Sequence, residues 1–144
     1  PALICVDYLQ IAEPGERIKE ERLRVTQMVR DFKNLARQIK SPVLCLSQIS
    51  RAVSQRENKR PTLSDLRETS AIEAESDVVV FIYRPSYYKA KEQTVNKWQQ
   101  EAEEENDEII VGKQRNGPTG IVPVRFVPEY TRFENLALGY GQGN

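Results

Sequence analysis

Apolar residues follow two different periods along this chain, and the switches between them predict its elements. Residues 2–6 (ALICV) and 43–46 (VLCL) are short unbroken apolar runs, each read as a strand. Between them the period lengthens. Val25, Met28, Val29, Phe32, Leu35, Ala36 and Ile39 recur at steps of three and four, with Arg, Lys, Asp and Gln in the gaps. That spacing predicts one long amphipathic helix over 18–40, stopped by Ser41-Pro42. Strand, long helix, strand implies a right-handed crossover joining parallel strands. Residues 77–83 (DVVVFIY) form a third apolar run, continuous enough to predict a strand buried on both faces within an α/β sheet. Residues 108–113 and 121–127 predict two further strands. The turn residues Asn116-Gly117-Pro118-Thr119-Gly120 join them as an antiparallel hairpin. A last short strand is expected over 130–136.

The polar connections are uneven. Residues 49–60 hold Arg51, Arg56, Lys59 and Arg60 against the single acid Glu57, a pattern of a solvated loop or of a phosphate-tracking one. Thr62 or Ser64 can cap a helical turn over 61–66. A charged loop (Asp65, Arg67, Glu68, Thr69, Ser70) feeds directly into the third strand. Residues 85–106, with Tyr87-Tyr88 and the run Glu103-Glu104-Glu105, are expected to be a surface excursion, partly helical or disordered. The tail at 137–144 has nothing to pack and is expected to be flexible. One domain over 1–136 is therefore expected. It opens at Pro1 directly on a strand and has no initiator methionine, as a piece of a larger protein would.

Charge changes this picture little. Twenty-one basic residues balance twenty-one acidic ones and there is no histidine, so a nucleic-acid site has to come from local clustering. Cys5 and Cys45 sit inside apolar runs and read as small core residues of a reduced, cytoplasmic protein, with a disulfide between adjacent strands left open. No apolar run reaches transmembrane length.

Three positions carry candidate chemistry. Asp7 and Gln48 each follow a predicted parallel strand, at the edge where open α/β sheets bind ligands. A carboxylate there suits water-coordinated Mg²⁺, and a neighbouring amide can bond a phosphate or hold an attacking water. Singly, they are equally a turn cap and a loop residue. In the extended segment Lys113-Gln114-Arg115 the two cations share one face and could reach an anion on another molecule. The alternative there is an edge strand protected by charge.

Four segments, VDYLQ at 6–10, LSQISRAVSQRENKRP at 46–61, SDLRETSAIEAESDVVVFIYR at 64–84 and KQRNGPTG at 113–120, resemble the bacterial replicative DnaB-type helicases, in the family's order. The resemblance covers most of the chain. It implies a RecA-like α/β motor domain that assembles as a homo-hexameric ring and uses ATP hydrolysis to move along single-stranded DNA and unwind duplex, with primase and a helicase loader as partners. By the same resemblance Asp7 is the Walker B aspartate acting on Mg²⁺ through water. Gln48 is the glutamine that senses the γ-phosphate. Lys113 and Arg115 are the pair reaching the γ-phosphate of the adjacent subunit. Arg67, Glu68 and Ser70 fall in the loop that holds the DNA backbone.

Two departures bear on this. The glycine-rich phosphate loop is absent from these 144 residues, so ATPase activity is expected of the parent protein and not of this chain alone. In RecA-like sheets the strand feeding that loop lies between the second and third strands here, so a gap or an open edge is expected there. Ser70 stands where the family usually has glycine, a mild strain if that position needs positive φ. Another RecA-type ring, a recombinase or clock-type ATPase, would keep Asp7 and Gln48 but not DLRETSAIE followed by KQRNGPTG. A non-catalytic binding module is the reading from a different class.

Overall fold

A computed structural model describes residues 2–15, 18–66, 70–92 and 106–136. Strand β1 (Ile4–Val6) pairs in parallel with β2 (Val43–Cys45), Val6 opposite Cys45, and helix α1 (Glu21–Ile39) makes the crossover between them. The predicted stripe is the one that packs. Val25 and Met28 are buried against Leu9 and Ile72, with Val29 and Phe32 beside them. At its C-terminus Lys40 takes a left-handed conformation, φ 52°. Pro42 restricts Ser41 away from helical geometry, so the chain turns off the helix one residue earlier and enters β2.

The second sheet has four strands in the order β3 (Val78–Tyr83), β4 (Asp107–Gln114), β5 (Gly120–Val127), β6 (Arg132–Asn135), all antiparallel. The expected gap is present: β2 and β3 share no ladder, and each has one edge unpaired among the described residues. Burial on β3 departs from expectation. Val79, Phe81 and Tyr83 are buried, while Val78, Val80 and Ile82 are about half exposed. A single layer of chain covers this sheet, so only alternate residues leave water. That layer includes the segment after β2, whose Leu63 lies beside Gly112 and Phe81 of the sheet's inner side.

Two of the four cations at 49–60 are engaged there, Arg56 within that layer and Arg60 between it and the sheet. Arg56 Nη2 donates to Asp65 Oδ2 at 2.8 Å, and Arg60 grips Glu108 through Nε at 2.9 Å and Nη2 at 2.8 Å while lying over the Tyr83 ring. Asp65 is buried, and its Oδ2 also accepts the Thr62 backbone N–H at 2.8 Å and the Thr62 hydroxyl at 3.0 Å. Burial pushes the Asp65 carboxyl up, but these donors together outweigh burial and hold it below the usual carboxylate range.

Two cysteine expectations are revised. Cys5 is exposed, because its side of β1 is uncovered, and both thiols are free, which closes the disulfide alternative. Cys45 is partly buried, and burial pushes its thiol up. The excursion after β3 begins as helix α3 (Pro85–Glu92), while 93–105 and the tail at 137–144 lie outside the described residues. No described helix is long and apolar enough to cross a membrane.

Candidate nucleotide and nucleic-acid site

Asp7 follows β1 directly and is exposed, with no hydrogen bond to any described residue. Its backbone neighbourhood is tied to β2: Leu46 N–H donates to Val6 O at 2.9 Å and Leu9 N–H to Leu46 O at 2.8 Å. The ladder thus runs past the ends of both strands, and Asp7 and Gln48 leave the same carboxyl edge of adjacent parallel strands. Gln48 is exposed at its side chain but anchored at its backbone by Gln10, a residue that the sequence reading passed over. The Gln10 amide accepts the Gln48 N–H at 3.2 Å and donates to Gln48 O at 3.3 Å and Ser47 Oγ at 3.0 Å.

The expected pair of cations does share one side of the hairpin, as residues two apart in a strand do, and a feature the periodicity did not show decides which side. The β3–β4 register breaks between Val79 and Val80: Val80 opposes Val111, Val79 opposes Lys113, and Gly112 is the extra residue of a β-bulge. An unbroken strand would send Lys113 to the face of Val111. The bulge returns it to the inner face, beside Val79. Arg115 follows two residues later on the same side, its N–H bonded to Asp77 O at 2.9 Å.

Both side chains end at one place, the carbonyl end of helix α2 (Ser70–Glu75). Lys113 Nζ donates to Glu73 O, and Arg115 donates through Nη2 to Ala74 O and through Nε to Ser76 O. Two cations on the last carbonyls of a helix are favourable both as hydrogen bonds and by the sign of the helix dipole. Arg115 Nε also lies 3.4 Å from Asp77 Oδ1. Asp77 in turn accepts from Lys33 of α1; that hydrogen bond, reinforced by the charges of Lys33, Arg115 and Arg37, outweighs desolvation and holds its carboxyl below the usual range. Lys113 and Arg115 therefore already have partners within the chain.

Of the three residues expected in the DNA loop, Arg67 and Glu68 lie outside the described residues. Ser70 is the first residue of α2 and is exposed. Among the described residues only Lys40 and Thr131 combine a side chain with positive φ, so Ser70 fits its position without the strain considered for it. Asp7 offers an oxygen ligand at an open strand end, which fits a Mg²⁺ that keeps most of its waters. A dedicated protein cage is not the fit, because no described group of three acids, cysteines or histidines converges.

Residues 2–135, nearly all of this architecture, match the DnaB-like helicase C terminal domain. The chain belongs to that family. Its sequence is 44% identical over 136 residues to the replicative DNA helicase DnaC of Bacillus subtilis (strain 168), covering 93% of this chain and 28% of that protein. It is also 44% identical over 135 residues to the replicative DNA helicase DnaB of Geobacillus stearothermophilus, with the same coverage. The fold superposes on a DnaB-like replicative helicase studied with primase, with TM-score 0.80, 38% identity, 94% of this chain and 30% of that one. It also superposes on a second solved structure, an ATPase domain, with TM-score 0.77, 37% identity, 94% of this chain and 44% of that one. The chain spans a little over a quarter of the length of these curated DnaB-type relatives. The α/β, RecA-like architecture expected from the sequence agrees with them. They favour neither a recombinase or clock-type ring nor a non-catalytic module.

Proposed function

We propose that this chain works as part of the motor of a replicative DNA helicase. In this reading a homo-hexameric ring couples ATP hydrolysis to movement along single-stranded DNA, in the cytoplasm, with primase and a helicase loader as partners. The observation that carries the reading is the shared carboxyl edge of β1 and β2, where Asp7 and Gln48 stand side by side on parallel strands. Mg²⁺, when bound with ATP, supplies charge neutralisation on the phosphates. Asp7 would hold it through water, as a lone exposed carboxylate can. Gln48, neutral and outward-facing, suits the terminal phosphate or the water that attacks it.

Lys113 and Arg115 would serve a neighbouring subunit, from the turn end of strand β4, which β3 and β5 flank on either side. Their role there is electrostatic: fixed positive charge where negative charge builds on the transferring phosphoryl group. Arg67, Glu68 and Ser70 would line the ring's opening and hold the DNA backbone, which carries no sequence information and so suits a motor that must run on any sequence. The phosphate-binding glycine loop is not within these residues, so turnover is assigned to a ring that supplies it.

The test joins this chain to the upstream part of the Geobacillus stearothermophilus helicase, in place of the segment it matches. In that grafted ring Arg115→Ala should lower DNA-stimulated hydrolysis by about a thousandfold or more while nucleotide still binds. Mixed with unsubstituted subunits, the variant should depress turnover in trans. Normal turnover by the Arg115→Ala ring would leave the residue as no more than the cap of α2.

A further inference from the structure

We infer that Gln10 is a positioning residue for Gln48: its side-chain amide acts as an added rung of the β1–β2 ladder and fixes the direction in which the Gln48 side chain leaves the sheet. This deepens the assignment of Gln48 made above and rests on it. The geometry is specific. Backbone bonds join the two strands at Pro42–Ile4, Val6–Leu46 and Leu46–Leu9. Beyond Leu9 the first strand has turned away into the short helical turn Leu9–Ile11, and among the described residues no backbone group bonds Gln48. The Gln10 side chain fills that place.

Its Oε1 accepts the Gln48 N–H at 3.2 Å and its Nε2 donates to the Gln48 carbonyl at 3.3 Å, the two bonds a neighbouring strand would otherwise make. The second Nε2 hydrogen is directed to Ser47 Oγ at 3.0 Å. Holding both the N–H and the C=O of one residue fixes its φ and ψ, and with them its Cα–Cβ direction. Only the side-chain torsions of Gln48 stay free.

Gln10 is held in turn. Arg24 of α1 donates from Nη2 to the Gln10 carbonyl at 3.2 Å, and the adjacent Leu9 is a buried member of the core. The chain of contacts therefore runs from the main helix, through Gln10, to the backbone of the phosphate-facing residue. The chemistry also restricts what could replace it. A primary amide has an acceptor and two donors on one short fork, and this site uses all three. Glutamate has the same shape but no donor, and turns a charge toward the Gln48 carbonyl. Asparagine is one methylene short, and leucine offers neither bond.

The test is a double-mutant cycle in the grafted ring, reading hydrolysis with and without single-stranded DNA. Gln10→Glu should lower DNA-stimulated turnover about tenfold, as expected for losing one or two such hydrogen bonds from a positioned group. If Gln10 acts through Gln48, then Gln10→Glu combined with Gln48→Ala should be no slower than Gln48→Ala alone. Additive losses would overturn the inference and make Gln10 a general structural residue. A Gln48→Ala ring with full turnover would instead overturn the assignment of Gln48. On the chain itself, amide hydrogen exchange gives a second reading. Gln10→Leu should expose the Gln48 amide while the Leu46 amide, bonded to Val6 O, keeps its protection. Equal protection at Gln48 in both proteins would refute the rung.

Discussion

Gly112→Ala is the sharpest perturbation that the β-bulge permits. A Cβ at this position would stand 2.6 Å from Phe81 Cε2, 3.2 Å from Phe81 Cδ2 and 3.6 Å from Leu63 Cδ2. Ordinary carbon–carbon contacts begin at about 3.5 Å, so roughly 1 Å of movement is required. Phe81 is 4% exposed and packed under the segment that carries Leu63, and cannot swing into water to provide it. Overpacking of this kind costs about 1–3 kcal/mol. For a chain of this size that corresponds to a melting temperature lower by roughly 3–9 °C. Far-UV circular dichroism during thermal and urea unfolding reads the loss directly. The contact is with one ring, so Phe81→Leu should cost less in the Gly112→Ala background than in the unsubstituted chain, with a coupling of about 1 kcal/mol. An unchanged melting temperature, or strictly additive effects, would show that the bulge is not packed against Phe81 as described.

Two further outcomes follow from charge. The folded Asp65 carboxyl sits below its unfolded value of about 3.9, so the stability it contributes is complete above that pH and is lost as pH falls through the folded value. Asp65→Asn should flatten the acid side of the stability curve between about pH 5 and about pH 2, the span of the carboxylate range, and an identical slope in urea titrations of the two proteins would refute the assignment. In the grafted ring, Arg67→Ala should weaken single-stranded DNA binding about equally for any base composition and make its salt dependence shallower by up to roughly one counterion per contact. Filter binding over a salt series decides it, and unchanged affinity and slope would make residues 63–73 structural and remove their DNA assignment.

What the sequence displayed was whatever depends on residue type at fixed spacing. The apolar stripe of α1, the stop at Ser41-Pro42 and the hairpin turn around Gly117 are all of that kind, and the structure contains each of them. The half-exposure of β3 was not visible, because an unbroken apolar run looks the same whether one or two layers cover the sheet. Gly112 was a legible warning of a bulge inside a strand, but the residue opposite which it falls is set by the partner strand, more than thirty positions away. The attachments of Lys113, Arg115 and Gln10 were less accessible still. All three rely chiefly on backbone carbonyls or amides, groups not tied to residue type, so few letters in the sequence mark the partner.

The docking of two hairpin cations onto α2 has a mechanical meaning. Six residues at 1.5 Å each make α2 a strut of about 9 Å. One end is gripped by Lys113 and Arg115, and the other continues into residues 67–69. A strut this short has almost no slack, and each residue added to it or removed would turn one end against the other by about 100°. The two ends are therefore indexed to each other as teeth on a single cog. The length of α2 cannot drift, nor can either end be re-aimed alone, without throwing the opposite end out of phase.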